Sequence, residues 1–93
     1  MSDVDVLNEG LAGEHFGIAA YAAALGSGLL DESTAGVAKS FQADHEHHRD
    51  LLVEQIERRG GTPVAALDPA EYAKEYPPLA SADDVVAYAI ELE

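Results

Sequence analysis

Between positions 44 and 49 the chain reads DHEHHR: one aspartate, one glutamate and three of the four histidines in the whole sequence. Imidazole nitrogens and carboxylate oxygens are the donors that hold iron, manganese or zinc. Whether these residues form a metal site or a solvated helix face depends on where each side chain points. Two more carboxylates raise the same question: Glu14, inside the mostly apolar stretch LAGEHFGIAAY, and Glu93, at the end of AYAIELE.

The elements that would position these groups can be read from periodicity and stop signals. A first long helix is expected over about 3–30. Ser2 is placed to cap it, and Asp3 and Asp5 sit where the helix dipole favours negative charge. Its apolar stripe runs through Val4, Leu7, Leu11, Ile18, Ala22, Leu25 and Leu29. Glycines at 10, 13, 17, 26 and 28 weaken it, and close helix packing is the compensation expected for that cost. A second helix is expected over about 33–59, ended by Arg58, Arg59, Gly60, Gly61 and then Pro63. The connector 60–80 contains a short helix start at Asp68–Pro69 and a stop at Pro77–Pro78. A third helix opens at Ser81 and runs to the last residue without a stop signal. The expectation is a single all-α domain: an antiparallel helical hairpin plus a third helix, cut short at its C-terminal end.

Each helix turns about 100° per residue, which sorts the polar residues by phase. With Ile18 as the centre of the first stripe, Glu14 lies about 40° away, among leucines. An ionised carboxylate there is costly unless it is paired or bound to a cation; the alternative is a partly exposed Glu at the bundle rim. With Phe41 as the centre of the second stripe, His48 falls about 20° away, His45 about 40° and Asp44 about 60°. Glu46 and His47 point into solvent. His45 and His48, at i and i+3, stand one turn apart on the apolar face. In the third helix Glu93 shares a face with Val86 and Ile90. The candidate ligands are therefore Glu14, Asp44, His45, His48 and Glu93.

Composition removes several classes. Eighteen acidic residues against five basic ones give a net charge of -13, and only Arg58 and Arg59 adjoin. Nucleic acid and anionic membranes are poor partners for that surface. There is no cysteine, hence no disulfide and no thiolate metal site. The uncharged run 16–30 is shorter than the ~18 residues of a spanning helix. The acidic start is unlike a signal peptide, so a cytoplasmic location is expected by default.

The stretches LAGEHFGIAAY and ADHEHHRDLL resemble the first two helices of the ferritin-like superfamily. There, a metal-binding Glu precedes a Tyr by seven residues, and a Glu-x-x-His motif precedes a leucine-rich turn. The resemblance implies Glu14 and Tyr21 for the first pair and His48 for the motif histidine, with Glu93 as the ligand of the third helix. The motif glutamate falls on His45, a departure that leaves three outcomes open: His45 coordinates, Asp44 substitutes, or no metal binds. The connector resembles that of a bacterial ferritin-like group in which the ligands are often incomplete.

The implied fold is half to three-quarters of a four-helix bundle with a metal site between helices. The second Glu-x-x-His, on a fourth helix, has no counterpart. A hairpin with two apolar stripes cannot bury them alone, so a homodimer or higher homo-oligomer is expected. Encapsulated ferritins, where the metals lie across a subunit interface, offer a precedent. The implied function is metal binding with oxidation of Fe(II), the cofactor being iron, mono- or di-nuclear, with zinc or manganese as alternatives. A metal-free helical interaction domain and a zinc-clamped helical dimer are the competing readings.

Overall fold

Each helix begins at a side chain that satisfies its otherwise unpaired first amides. The computed structural model describes all residues 1–93, and four helices account for its regular structure: α1 (Asp3–Gly26), α2 (Glu32–Arg58), α3 (Pro69–Ala73) and α4 (Ala82–Leu92). At α1, Ser2 and Asp5 exchange reciprocal bonds of 3.1 and 3.2 Å in a capping box. Asp31 Oδ1 accepts from the Thr34 amide at 2.7 Å, Asp68 Oδ1 from Ala70 at 2.9 Å, and Ser81 Oγ from Asp84 at 3.2 Å. The all-α expectation holds, including the short connector helix with Pro69 at its start.

The first helix ends four residues sooner than its periodicity suggested. Gly26 closes it, Ser27 donates its hydroxyl to the Ala24 carbonyl, and Gly28 takes φ 73°. Leu29 and Leu30 thus belong to the turn, and Asp31 rather than a later residue caps α2. At the far end of α2, Gly60 (φ 75°) donates to Glu57 and Gly61 donates to Ile56, a Schellman arrangement. Gly61 also lies where a Cβ would stand 2.7 Å from Val4 Cγ1, so the start of α1 packs directly on this turn.

α1 is the central element; α2, α3 and α4 all pack on it. α1 and α2 run antiparallel: Gly10 approaches Leu52, Gly17 approaches His45, and Gln42 donates to the Ile18 carbonyl at 3.3 Å. The connector is strapped along α1 by Asn8, which bonds both Thr62 O and Val64 N, and by His15 Nε2 at 3.0 Å from Val64 O. Phe16 then meets Tyr72 and Tyr76 edge-on, each at 5.8 Å.

The apolar stripes do not all become core. Leu11, Ala20, Tyr21 and Ala24 are buried on α1, whereas Ala22 is exposed. Covered from several sides, α1 buries an arc wider than one stripe, and Tyr21, about 60° from Ile18, lies inside it. On α2, Ala38 and Ile56 are buried, yet Val37 is 52% and Phe41 39% exposed. Both buried residues lie about 60° to one side of Phe41. The direction of α1 is therefore rotated away from the centre of the stripe. Its other half, with Val86 and Ile90 of α4, lines an open apolar groove of about 350 Å³ that ends at Tyr21 and Glu93.

Candidate metal centre

Glu14 and Tyr21 lie two turns apart on one face of α1, and His45 of α2 stands opposite both. Glu14 Oε2 is 3.1 Å and Oε1 3.3 Å from His45 Nδ1. The other ring nitrogen, Nε2, is 2.9 Å from Glu93 Oε2. That same carboxylate oxygen accepts the Tyr21 hydroxyl at 2.8 Å. The Tyr21 ring stacks on the His45 imidazole, centroids 5.6 Å apart and planes 26° from parallel. His48, one turn further on, brings Nδ1 to 3.5 Å from Glu14 Oε1.

These contacts sort the five sequence-derived candidates. Glu14, His45 and His48 bring one donor atom each within 4.8 Å of one another, the spacing of a group able to share a metal ion. Glu93 joins through the opposite edge of the His45 ring. Asp44 is exposed and its carboxylate has neither a hydrogen-bond nor an ion-pair partner. His47 is exposed as expected, and Glu46 is half-buried. Phase placed His48 nearest the stripe centre, but His45 is the enclosed histidine, its side chain 18% exposed against 56% for His48. The cause is the rotation described above: His45 lies on the α1 side of Phe41, and His48 and Asp44 lie on the groove side.

The charges follow from the contacts. Burial alone would lower the pKa of His45, but hydrogen bonds to Glu93 and Glu14 and their negative charge outweigh it, and the net shift is upward. Glu93 is held below its ordinary value chiefly by the bond from His45, with Tyr21 assisting against burial. Burial and then the Glu93 carboxylate push the Tyr21 hydroxyl well above its usual value. Each ring nitrogen of His45 thus faces a carboxylate, an arrangement that favours the protonated imidazole. Tyr21 was legible only as the residue seven after Glu14; its bond to Glu93 has no sequence signal.

Over residues 2–93 the chain matches the family model described as a ferritin-like domain. The chain belongs to the ferritin-like family. No curated protein and no solved structure matches it. For this ferritin-like chain the donor set is unlike an all-carboxylate pair: two imidazoles and one carboxylate are the set that suits a single Fe(II) with open positions. The same three groups fit Zn(II) as well. The half-exposed His48 leaves one side open, so an ion has an entry path. No helix is long and apolar enough to cross a membrane.

Proposed function

We propose that this ferritin-like chain binds one divalent metal ion, with Fe(II) as the ion it takes, through Glu14, His45 and His48. The observation that carries the reading is their convergence within 4.8 Å. Glu14 neutralises charge, and the Nδ1 of His45 and a nitrogen of His48 complete the set. Glu93 keeps the proton on His45 Nε2, which leaves Nδ1 available; a carboxylate behind a ligating imidazole fixes its tautomer in this way. Tyr21 holds Glu93 in place. Fe(II) bound here is a substrate for oxidation to Fe(III), with O₂ or hydrogen peroxide accepting the electron.

Anaerobic titration with Fe(II), and with Co(II) as a coloured probe, tests the reading. One equivalent should bind to the wild type, and His48→Ala should lose most of that binding. A wild type that takes up neither Fe(II), Co(II) nor Zn(II) would sink it. Oxidation is read separately, from Fe(III) absorbance after addition of oxidant.

Self-association is the second part of the reading. Val37, Phe41, Val86 and Ile90 leave an apolar groove open, and a contiguous exposed patch of this kind marks an interaction surface. A second copy covering it would complete the helical layers around the metal centre. Since the net charge of -13 opposes association, the contact must be apolar. Light scattering should give a mass above the monomer, and Ile90→Glu should return it to the monomer.

One observation favours a metal-free alternative. Both nitrogens of His45 are already paired with carboxylates, so the cluster also works as an internal ion network tying α1, α2 and the residue after α4. In that case removing His45 lowers the melting temperature while added metal leaves it unchanged.

A further inference from the structure

Gly17 lies one turn beyond Glu14 on α1, directly under the imidazole of His45. A Cβ built at Gly17 would stand 3.3 Å from His45 Cγ, 3.3 Å from Nδ1 and 3.4 Å from Cδ2. Those atoms are the near edge of the ring, not the end of a flexible chain. The Cγ position is set by a single torsion, so relieving a contact there shifts the whole ring by a few tenths of an ångström. It is also pinned elsewhere. Tyr21 stacks on it, Glu14 holds Nδ1 at 3.1 Å and Glu93 holds Nε2 at 2.9 Å. Gly13, four residues earlier on the same helix, has nothing within 4 Å of its Cβ position. Glycine inside a helix costs stability relative to alanine, and at Gly17 the close approach of α2 accounts for it.

We propose that Gly17 is a positioning residue that admits an imidazole at position 45 and sets the direction of its Nδ1 toward Glu14 and His48. Any side chain at 17 would push the ring outward and turn Nδ1 from the point where the three donors meet. A glutamate at 45 would keep one atom, Cγ, at that edge in place of three, so alanine at 17 would disturb it less. The two positions therefore act as a matched pair: glycine with histidine. This rests on the metal-binding reading for its consequence, but the positioning itself is a property of the protein without metal.

The test is a two-by-two set in the full chain: wild type, Gly17→Ala, His45→Glu, and both together, with Gly13→Ala as control. Alanine favours the helix at both glycine positions, so a weaker helix cannot explain a loss at Gly17. Gly17→Ala should lower Co(II) affinity roughly 10- to 100-fold, the usual range for groups that orient a ligand. Gly13→Ala should leave it unchanged, and adding Gly17→Ala to His45→Glu should cost less than it does in the histidine background. In metal-free protein, the proton NMR contact between the Gly17 Hα and the His45 ring should be strong in the wild type. In Gly17→Ala the contacts of the ring with Glu14 should weaken. Unchanged affinity and unchanged ring contacts in Gly17→Ala would overturn the proposal, as would equal losses in the histidine and glutamate backgrounds. If the wild type binds no metal, the NMR arm still decides. A displaced ring then upholds the positioning role while the metal reading fails, and an undisplaced ring removes both.

Discussion

The carboxylate of Glu93 and the imidazole of His45 meet at 2.9 Å across 48 residues of sequence, and this bond leaves Nδ1 as the nitrogen facing Glu14. Removing the carboxylate frees the ring. Glu93→Ala is expected to lower Co(II) or Fe(II) affinity roughly 10- to 100-fold, as loss of a ligand's outer partner usually does. It should also bring the Tyr21 hydroxyl down toward its ordinary pKa, though not fully, since burial is the larger cause of its elevation. Ultraviolet titration of the tyrosines measures the second effect independently of metal.

Metal uptake should be coupled to a proton. His45 has a raised pKa and must give up its Nδ1 proton to coordinate. Affinity is therefore expected to rise with pH through a value above the ordinary 6.5. Calorimetry in buffers of different ionisation enthalpy should report proton release on binding. Affinity independent of pH between 5 and 8 would contradict His45 as a ligand.

The same groups set the pH dependence of the metal-free fold. His45, raised when folded, contributes stability that is complete below 6.5 and lost as pH rises through its folded value. Glu93, depressed when folded, contributes above 4.5 and loses its share as pH falls through its folded value. The two contributions overlap between 4.5 and 6.5, where melting temperature should be highest if this cluster dominates. His45→Ala should flatten the profile.

Within the DHEHHR stretch the substitutions should separate cleanly. His48→Ala should impair metal binding, while His47→Ala and Asp44→Ala should leave it intact and change stability by no more than about 0.5 kcal/mol. Both of the latter side chains are exposed and outside the converging set. An equal effect at His47 and His48 would mean that the helix phase is misassigned.

Gly61→Ala offers a check on the fold alone. Its Cβ would stand 2.7 Å from Val4 Cγ1 and 3.1 Å from Ile56 Cγ2. Overpacking of this kind costs about 1–3 kcal/mol, which for a domain of this size corresponds to a drop of several degrees or more in Tm. Chemical denaturation measures the cost directly.

Much of the scaffold was legible. Ser2, Asp68 and Ser81 cap where their types and positions indicated, and Gly60–Gly61 stop α2 as such a pair should. These are interactions between residues two to five apart, so they need no knowledge of the rest of the chain. The end of α1 was harder, because Leu25, Leu29 and Leu30 continue an apolar rhythm that the conformation of Gly28 interrupts. The pairing of Glu14 with the face of His45 was also within reach, since both depart from their helix's apolar pattern toward the same neighbour.

By itself, the sequence determined the helices, three of their four N-caps, the acidic surface without cysteine, and the phase of each polar side chain about its own axis. Only the tertiary structure decided which half of the α2 stripe meets α1. That choice makes His45 the enclosed histidine, leaves His48 half in solvent and sends Asp44 to the open side. It likewise decided that Glu93 approaches His45 from behind, and that Gly17 lies beneath its ring. The reason is physical: periodicity records the rotation of a side chain about one helix, but not the bearing from which the next helix arrives. That bearing is set by packing between residues far apart in the chain.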